Sequence, residues 1–600
     1  MKSGWLFGIL AAIFLLFIGL YPQLKLLYDR DGAWQGSYAY NDLDENAYAA
    51  YVAALIEGRP RRNDPYSGRD DSPATPQPES LFSIQFLPAY TVAIPARLFG
   101  ASASTALIFA SALAAFFAAL ALFWLVKSLI GDAQFAAVAA LFVLCCGVLA
   151  IGEGALVNLT KNYAAYPYFP FLRRYVPAVP FPIFFVFCAA VWQMLTNEKR
   201  RILFGLLAAA CFTALVFSYF YLWTTAAAWL VCLAFLWLVI RPESWRRDVK
   251  LIAALGVLMA LALFPYAILL SNRATTMDNV QLLVLTRMPD LLRAPEIWSL
   301  ITLTLLSFAV WRKRIDVRDK LTVFTASLVL VPFAVFNQQI LTGRSLQPIH
   351  YQVFIVNYVA LLAFALAVFL LWRGRTAKLG RAANLALPAI ALFAAVWGVV
   401  EAHLTITAIQ EANVMRDQTK PVGNRLSELA KTELFDETGN RRVVLPLNFI
   451  LGDELPTIAP QAVLWARHSH VFAGTSLAED KERFFQFLYY AGVDERHLAS
   501  ELRRGNIVYL IALFGWGRHT ARLTSDYTPL TIAEVSAEAQ KFAAYRANFN
   551  VANAQNPRIS YIVVDSDYVM DFTNIDRWHE RDDGESVGDF IIYRVKTRLP

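Results

Sequence analysis

The chain has 600 residues, 57% hydrophobic and 17% charged, which is too apolar for an ordinary soluble enzyme and too long for one compact domain. Its formal net charge of +7 is modest, and the basic residues fall mainly in short loops between apolar runs, which argues for membrane topology and against nucleic-acid binding. This is the composition of a polytopic membrane protein with a soluble appendage.

The first apolar run covers about residues 4–24; it opens with Lys2 and has no small-residue cleavage motif before Tyr21-Pro22, and so reads as a retained signal anchor. Just beyond it stands Asn41-Asp42-Leu43-Asp44-Glu45, three carboxylates close to a membrane surface. Asp42 or Asn41 would N-cap a helix over Leu43–Glu57, where acids in the first turn gain about 0.3–1 kcal/mol from the helix dipole. One cap leaves the other carboxylates without a structural task. A carboxylate fixed there would serve as general base toward an acceptor hydroxyl or amine. A neighbour would orient it, or Asp42 or Asp44 would hold a divalent cation such as Mg or Mn.

The run from Leu81 to Phe99 is interrupted by Pro88 and Pro95 and ended by Gly100, so a kinked helix lying on the membrane surface is expected there rather than a span. Runs suited to a bilayer, which takes about 20 residues, follow at about 104–126, 134–152, 181–196, 249–270, 297–311, 321–336, 351–372 and 384–402. Residues 202–240 hold enough for two helices, and the aromatic patch Tyr219-Phe220-Tyr221-Leu222-Trp223 places a tight hairpin between them. With the amino terminus inside, the inside loops collect Lys199-Arg200-Arg201, Arg246-Arg247, Arg312-Lys313-Arg314, Arg373, Lys378 and Arg381. That bias predicts about eleven spans, with a cytoplasmic amino terminus and an extracytoplasmic carboxyl terminus.

The exported face then carries the long loops, at 25–80, 153–180, 271–296 and 337–350. All five cysteines (Cys145, Cys146, Cys188, Cys211, Cys232) lie in apolar segments, so the exported parts are held by packing rather than by disulfides. After Ala402 hydropathy falls. Strands are expected at Arg442–Leu447, Val508–Leu513, Ile559–Val564 and Phe590–Val595, and helices at Ala478–Ala491 and Ile532–Arg546, a mixed α/β domain. The expected division is a membrane domain over 1–403, with a first exported loop over 25–103, and an exported domain over 404–600. His468 and His470 could face one metal from a strand, but without further His or Cys they read as a surface or capping pair.

This layout resembles the GT-C class of membrane glycosyltransferases, which have many spans, an acidic catalytic motif in a long exported loop after the first helix, and surface helices in that loop. Asp42, Asp44 and Glu45 occupy the acidic-motif position, and the helix near 81–99 fits the loop pattern. The resemblance implies a polyprenyl-phosphate sugar donor in the bilayer and inverting transfer of a hexosyl or pentosyl group. The acceptor would be a glycan, lipid or protein on the exported side, and no nucleic acid is involved. A donor phosphate at the outer interface calls for Arg or Lys. Lys161 and Arg173-Arg174 offer this in the second exported loop, and Asn337, Gln338, Arg344, His350 and Tyr351 in the fourth. Arg173, Arg174 and the nearby tyrosines would equally anchor that loop among lipid headgroups.

Three other readings compete. A transporter would need polar groups near the bilayer midplane and a repeated half, whereas these spans are almost free of ionisable residues. A lipid-linked glycan polymerase or ligase works at the same interface with exported Arg and His. A non-catalytic assembly protein of the envelope would leave Asp42 and Asp44 as mere caps.

Overall fold

The computed structural model describes residues 4–161, 168–173, 175–373 and 380–598. The chain divides into two compact units. One comprises Met1–Lys25, Ile108–Ile268 and Leu285–Gln410; the other comprises Leu26–Leu107, Leu269–Val284 and Glu411–Pro600. The first loop, grouped with the spans in the expected division, thus packs in the same unit as the C-terminal residues.

Every apolar run read as a span is helical. Among the described residues, eight helices are long and apolar enough to cross a membrane: Trp5–Ala33, Ala103–Ile130, Tyr175–Thr196, Phe220–Ile240, Trp245–Ser271, Ala294–Trp311, Pro348–Trp372 and Leu385–Ile406. Three more of the expected spans, Ala133–Cys146, Arg201–Val216 and Lys320–Phe336, are apolar helices of 10–17 residues. Many outward side chains on these helices are large and apolar, among them Phe17, Val257, Phe264, Leu385 and Leu392. Such surface is stable only against lipid. These features make the chain an integral membrane protein.

Within the first unit, Pro348–Trp372 is 89% buried while Leu385–Ile406 is 22% buried, so the former is a central helix and the latter a peripheral one. The run 202–240 breaks at Phe217-Ser218-Tyr219, where the Tyr219 amide closes the preceding helix by donating to the Leu215 carbonyl at 3.0 Å. The fully buried Asp248 accepts from Lys320 Nζ at 2.7 Å and pairs with Arg247 at 2.9 Å. A buried carboxylate is tolerable when paired in this way.

In the second unit the run 81–99 forms two helices, Leu81–Ile84 and Phe86–Phe99, the first closed by a Ser80/Ser83 capping box. The break falls at Gln85 rather than at a proline. Pro88 sits in a first turn, where its missing N–H has no intrahelical partner to lose, and Gly100 at φ 64° ends the helix.

The C-terminal residues build a six-stranded mixed sheet from β1 (Val443–Pro446), β2 (Ala462–Val463), β3 (Ile559–Asp565), β4 (His579–Arg581), β5 (Glu585–Val587) and β6 (Phe590–Thr597). The strand order is β2-β1-β3-β6-β4, with β5 also on β6; β1 runs parallel to β2 and β3, and β6 is antiparallel to its neighbours. Helices Leu477–Tyr490 and Ile532–Ala547 stand where they were expected. Val508–Leu513 does not form the expected strand: Ile507–Phe514 is a helix, started by Asn506, whose side chain accepts the Val508 amide. A short run apolar on all sides carries no period to separate the two states, and the cap decides it.

Phe484 is fully buried in this domain's core, 4.5 Å from Trp465 and 5.4 Å from Tyr509 between ring centroids. Phe484→Ala is expected to cost about 3–5 kcal/mol through lost burial and the cavity left behind. Thermal unfolding followed by tryptophan fluorescence checks this.

Candidate functional site

The acidic segment belongs to the second unit. Its helix runs Glu45–Ile56 rather than from Leu43, and neither Asn41 nor Asp42 is its N-cap. The position falls to Asp44, whose side chain makes no capping bond. Instead the Glu45 carboxylate accepts the Asn41 amide at 3.0 Å and Asp42 Oδ1 accepts the Asp44 amide at 3.0 Å, an Asx turn. The segment is therefore folded on itself before the helix begins.

It is also buried, and buried irregular backbone must find partners. Helix Gln410–Glu433 supplies them. Asn413 Oδ1 accepts the Tyr40 amide at 3.1 Å and its Nδ2 donates to the Tyr40 carbonyl at 2.9 Å, imitating a strand neighbour. Asp417 accepts the Gln35 and Ser37 amides and pairs with Arg30 at 2.9 Å. One turn of the same helix lays Arg416 over the Tyr40 ring, 4.6 Å from its centroid. Below, Glu454 accepts from Asn46 Nδ2 at 2.7 Å and Thr457 Oγ1 at 3.1 Å. Burial pushes its carboxyl up against the pull of the Arg416 and Lys420 cations.

The exposed end of the segment meets a second set of groups. Arg467 donates to the Leu43 carbonyl at 3.0 Å and pairs with Asp453 at 3.1 Å. His468 Nε2 faces Asp44 Oδ1 at 3.3 Å and its Nδ1 faces Asp453 Oδ2 at 3.0 Å, so one imidazole bridges two carboxylates. Burial alone would push the His468 pKa down. The Asp453 carboxylate, helped by the hydrogen bonds to Asp44 and Asp453, outweighs that and the Arg467 cation, leaving the pKa above its ordinary value. Burial likewise raises Asp453, but His468 and Arg467 hold its carboxyl below the usual range. Asp44 is 29% exposed at its side chain, whereas Asp42 is fully buried and Glu45 nearly so.

His468 and His470 do not share a site. His470 Nε2 accepts the Trp516 ring N–H at 2.7 Å, and burial pushes its pKa down to about 4. The pair, expected at the surface or as caps, is instead buried, and each histidine has its own hydrogen-bonding partner. Nor do the acids converge as a ligand set: one Asp42 oxygen is engaged by the Asp44 amide and one Asp44 oxygen by His468. Among the described residues, no group of three or more His, Cys, Asp or Glu side chains is placed to hold a metal ion.

The remaining candidates lie in the first unit. Arg173 is buried with its guanidinium 5.3 Å from the Phe354 ring centroid, and His350 meets the same ring edge-on at 5.1 Å. Tyr221 lies 5.0 Å from the His350 ring and 4.8 Å from that of Tyr351, whose hydroxyl is 2.9 Å from that of Thr224. Arg173, His350 and Tyr351 are thus gathered around two aromatic rings. Asn337 exchanges hydrogen bonds with the backbone of Asp290, in the 271–296 loop, at 3.0 and 3.1 Å, and Gln338 donates to the Arg344 carbonyl of its own loop at 2.9 Å. Arg344 and Lys161 are exposed. Arg174 lies outside the described residues.

No protein-family model and no curated protein matches the chain. Among solved structures it is similar to the Archaeoglobus fulgidus oligosaccharyltransferase in the apo form, at 11% identity over 94% of this chain and 70% of that one, with a TM-score of 0.45. It is also similar to ArnT from Cupriavidus metallidurans in the apo state, at 14% identity over 82% of this chain and 91% of that one, with a TM-score of 0.44. For the same protein bound to undecaprenyl phosphate the TM-score is 0.42 at 14% identity, over 82% of this chain and 92% of that one.

A histidine with a raised pKa contributes its stability in full below its unfolded value of about 6.5 and loses it as pH rises through the folded value. His468→Gln is therefore expected to lower the melting temperature of the full-length protein more at about pH 5.5 than at about pH 8.5. Equal losses at the two pH values would mean that the imidazole is neutral between its carboxylates.

Proposed function

We propose that the chain is a membrane glycosyltransferase of the GT-C class, moving a sugar from a polyprenyl-phosphate donor to an acceptor on the exported face. In this reading the amino terminus is cytoplasmic, and residues 404–600 form an extracytoplasmic domain. The observation that carries the reading is the Asp44–His468–Asp453 bridge in an integral membrane protein: an accessible carboxylate, oriented by a buried imidazole that is itself held by a second carboxylate. Nucleophile activation by a positioned base asks for this kind of support.

Asp44 is assigned as the base because its side chain is partly exposed, whereas Asp42, fully buried, shapes the turn that presents it. Protonated, His468 donates from both ring nitrogens, which fixes the orientation of the Asp44 carboxylate. The acceptor hydroxyl would then attack the anomeric carbon as its proton passes to Asp44. The bond from that carbon to the phosphate oxygen breaks, inverting the configuration and releasing polyprenyl phosphate. Independently of that step, Arg173, Arg174, Lys161 and Arg344 are proposed as donor-phosphate contacts and His350 and Tyr351 as sugar contacts, each read out by its own substitution. A requirement for Mg or Mn stays a separate proposal, read out by chelation, and no step above depends on it.

Purified full-length protein incubated with a panel of polyprenyl-phosphate sugars is expected to hydrolyse or transfer at least one of them. Asp44→Asn should lower turnover by about 10²–10⁴-fold, the usual worth of a general base, with the melting temperature retained. Transfer that persists undiminished in Asp44→Asn would reject the assignment. A reporter fused after Pro600 that scores as cytoplasmic would reject the orientation.

A further inference from the structure

The sheet of the second unit carries a cavity that none of the groups above explains. It has a volume of about 450 Å³ and is lined by Leu447, Asn448, Phe449, Ile450, Asp565 and Tyr568. These residues follow the carboxyl ends of β1 and β3, two adjacent parallel strands. From β1 the chain passes through helix Phe449–Glu454 to β2, on one side of β1; from β3 it passes to β4 and β6, on the opposite side. The connections part at this point, and a crevice opens where two neighbouring parallel strands send their chains in opposite directions. Open α/β sheets bind their ligands there.

The lining sets the ligand's chemistry. Asn448 Oδ1 is committed to capping helix Phe449–Glu454, accepting the Ile450 and Leu451 amides, which turns its Nδ2 toward Asp565. That amide lies 3.3 Å and 3.4 Å from the two Asp565 oxygens. A carboxylate has about four acceptor positions, so Asp565 is held in place with capacity left for donors in the cavity. A phosphate is the wrong partner. The carboxylate repels it, and the turn after β1 has no glycine before Gly452, so it lacks the backbone cradle that a nucleotide uses. The rest of the wall is apolar, and Tyr568 stands at its edge, 60% exposed.

We propose that this crevice is a carbohydrate-binding site for a neutral pyranose or furanose ring, with Asp565 accepting from a pair of ring hydroxyls and Tyr568 covering the apolar face of the sugar. A ring that carries hydroxyl donors on its edge and C–H groups on its faces matches one fixed carboxylate beside an aromatic wall. The site uses none of the residues assigned to transfer, and it goes beyond that reading by giving the C-terminal part of the chain a glycan to hold.

The test is saturation-transfer-difference NMR on the full-length protein in lipid nanodiscs, which avoids sugar-headed detergents. The probes are the methyl glycosides of glucose, galactose, mannose, N-acetylglucosamine and arabinose, together with ATP. At least one glycoside is expected to bind saturably. Asp565→Asn and Tyr568→Ala should each weaken that binding by about tenfold or more, the scale of one charge-assisted hydrogen bond, and Asp44→Asn should leave it unchanged. Tyr568 is exposed and Asp565 is half-buried at the end of β3, and an unchanged melting temperature confirms that the variants fold. No binding by any glycoside, binding that survives both crevice substitutions, or binding of ATP in their place overturns the inference. Loss of binding in Asp44→Asn alone would also overturn it, while leaving the proposed transferase intact.

Discussion

The stretch Ser37–Asp42 is buried without regular structure, and helix Gln410–Glu433 satisfies part of its backbone. Asn413 pairs with both backbone groups of Tyr40, and Asp417 gathers two further amides and the Arg30 cation. An unpaired buried amide or carbonyl costs about 1–3 kcal/mol, so each of these two side chains helps to hold the segment in place. The fixed path of this segment, more than any property of the acids themselves, determines where Asp42, Asp44 and Glu45 stand.

Once the path is fixed, the three acids cease to be equivalent. Glu45 folds back on Asn41 and Asp42 on Asp44, which uses both as local staples. Asp44 emerges at the end of the turn and meets His468, whose other nitrogen rests on Asp453. A lone imidazole buried this deeply would be neutral. Its two carboxylate neighbours reverse that preference and couple the protonation of His468 to the orientation of Asp44.

Much of the fold was legible because membrane helices must satisfy their own backbone and present apolar side chains to lipid, which leaves a strong signal in composition. The break at Phe217–Tyr219 followed from the preference of amphipathic rings for an interface. Legibility ended where local pattern met tertiary demand. Ile507–Phe514 became a helix because Asn506 caps it, and a six-residue apolar run has no period to argue otherwise. Asn337 and Gln338 stood out as candidate ligand contacts, and only the folded chain shows that Asn337 also ties its loop to Asp290 and that Gln338 bonds to Arg344. His468 was visible only as half of a histidine pair. Its partners, Asp44 and Asp453, are 424 and 15 residues away in sequence, and no spacing rule spans such a separation.

The membrane class, the helical runs, the α/β character of the C-terminal part and the unusual acidic cluster are all visible in the residues alone. Each is written in composition and short-range periodicity, and each follows from solvent preference residue by residue. Folding is needed to bring residues 26–107 into one unit with 411–600, to leave Asp44 rather than Asp42 as the accessible acid, and to set a buried histidine against it. Those outcomes depend on which distant groups share a low-dielectric interior. There the worth of a charge is set by its neighbours in space and not by its neighbours along the chain.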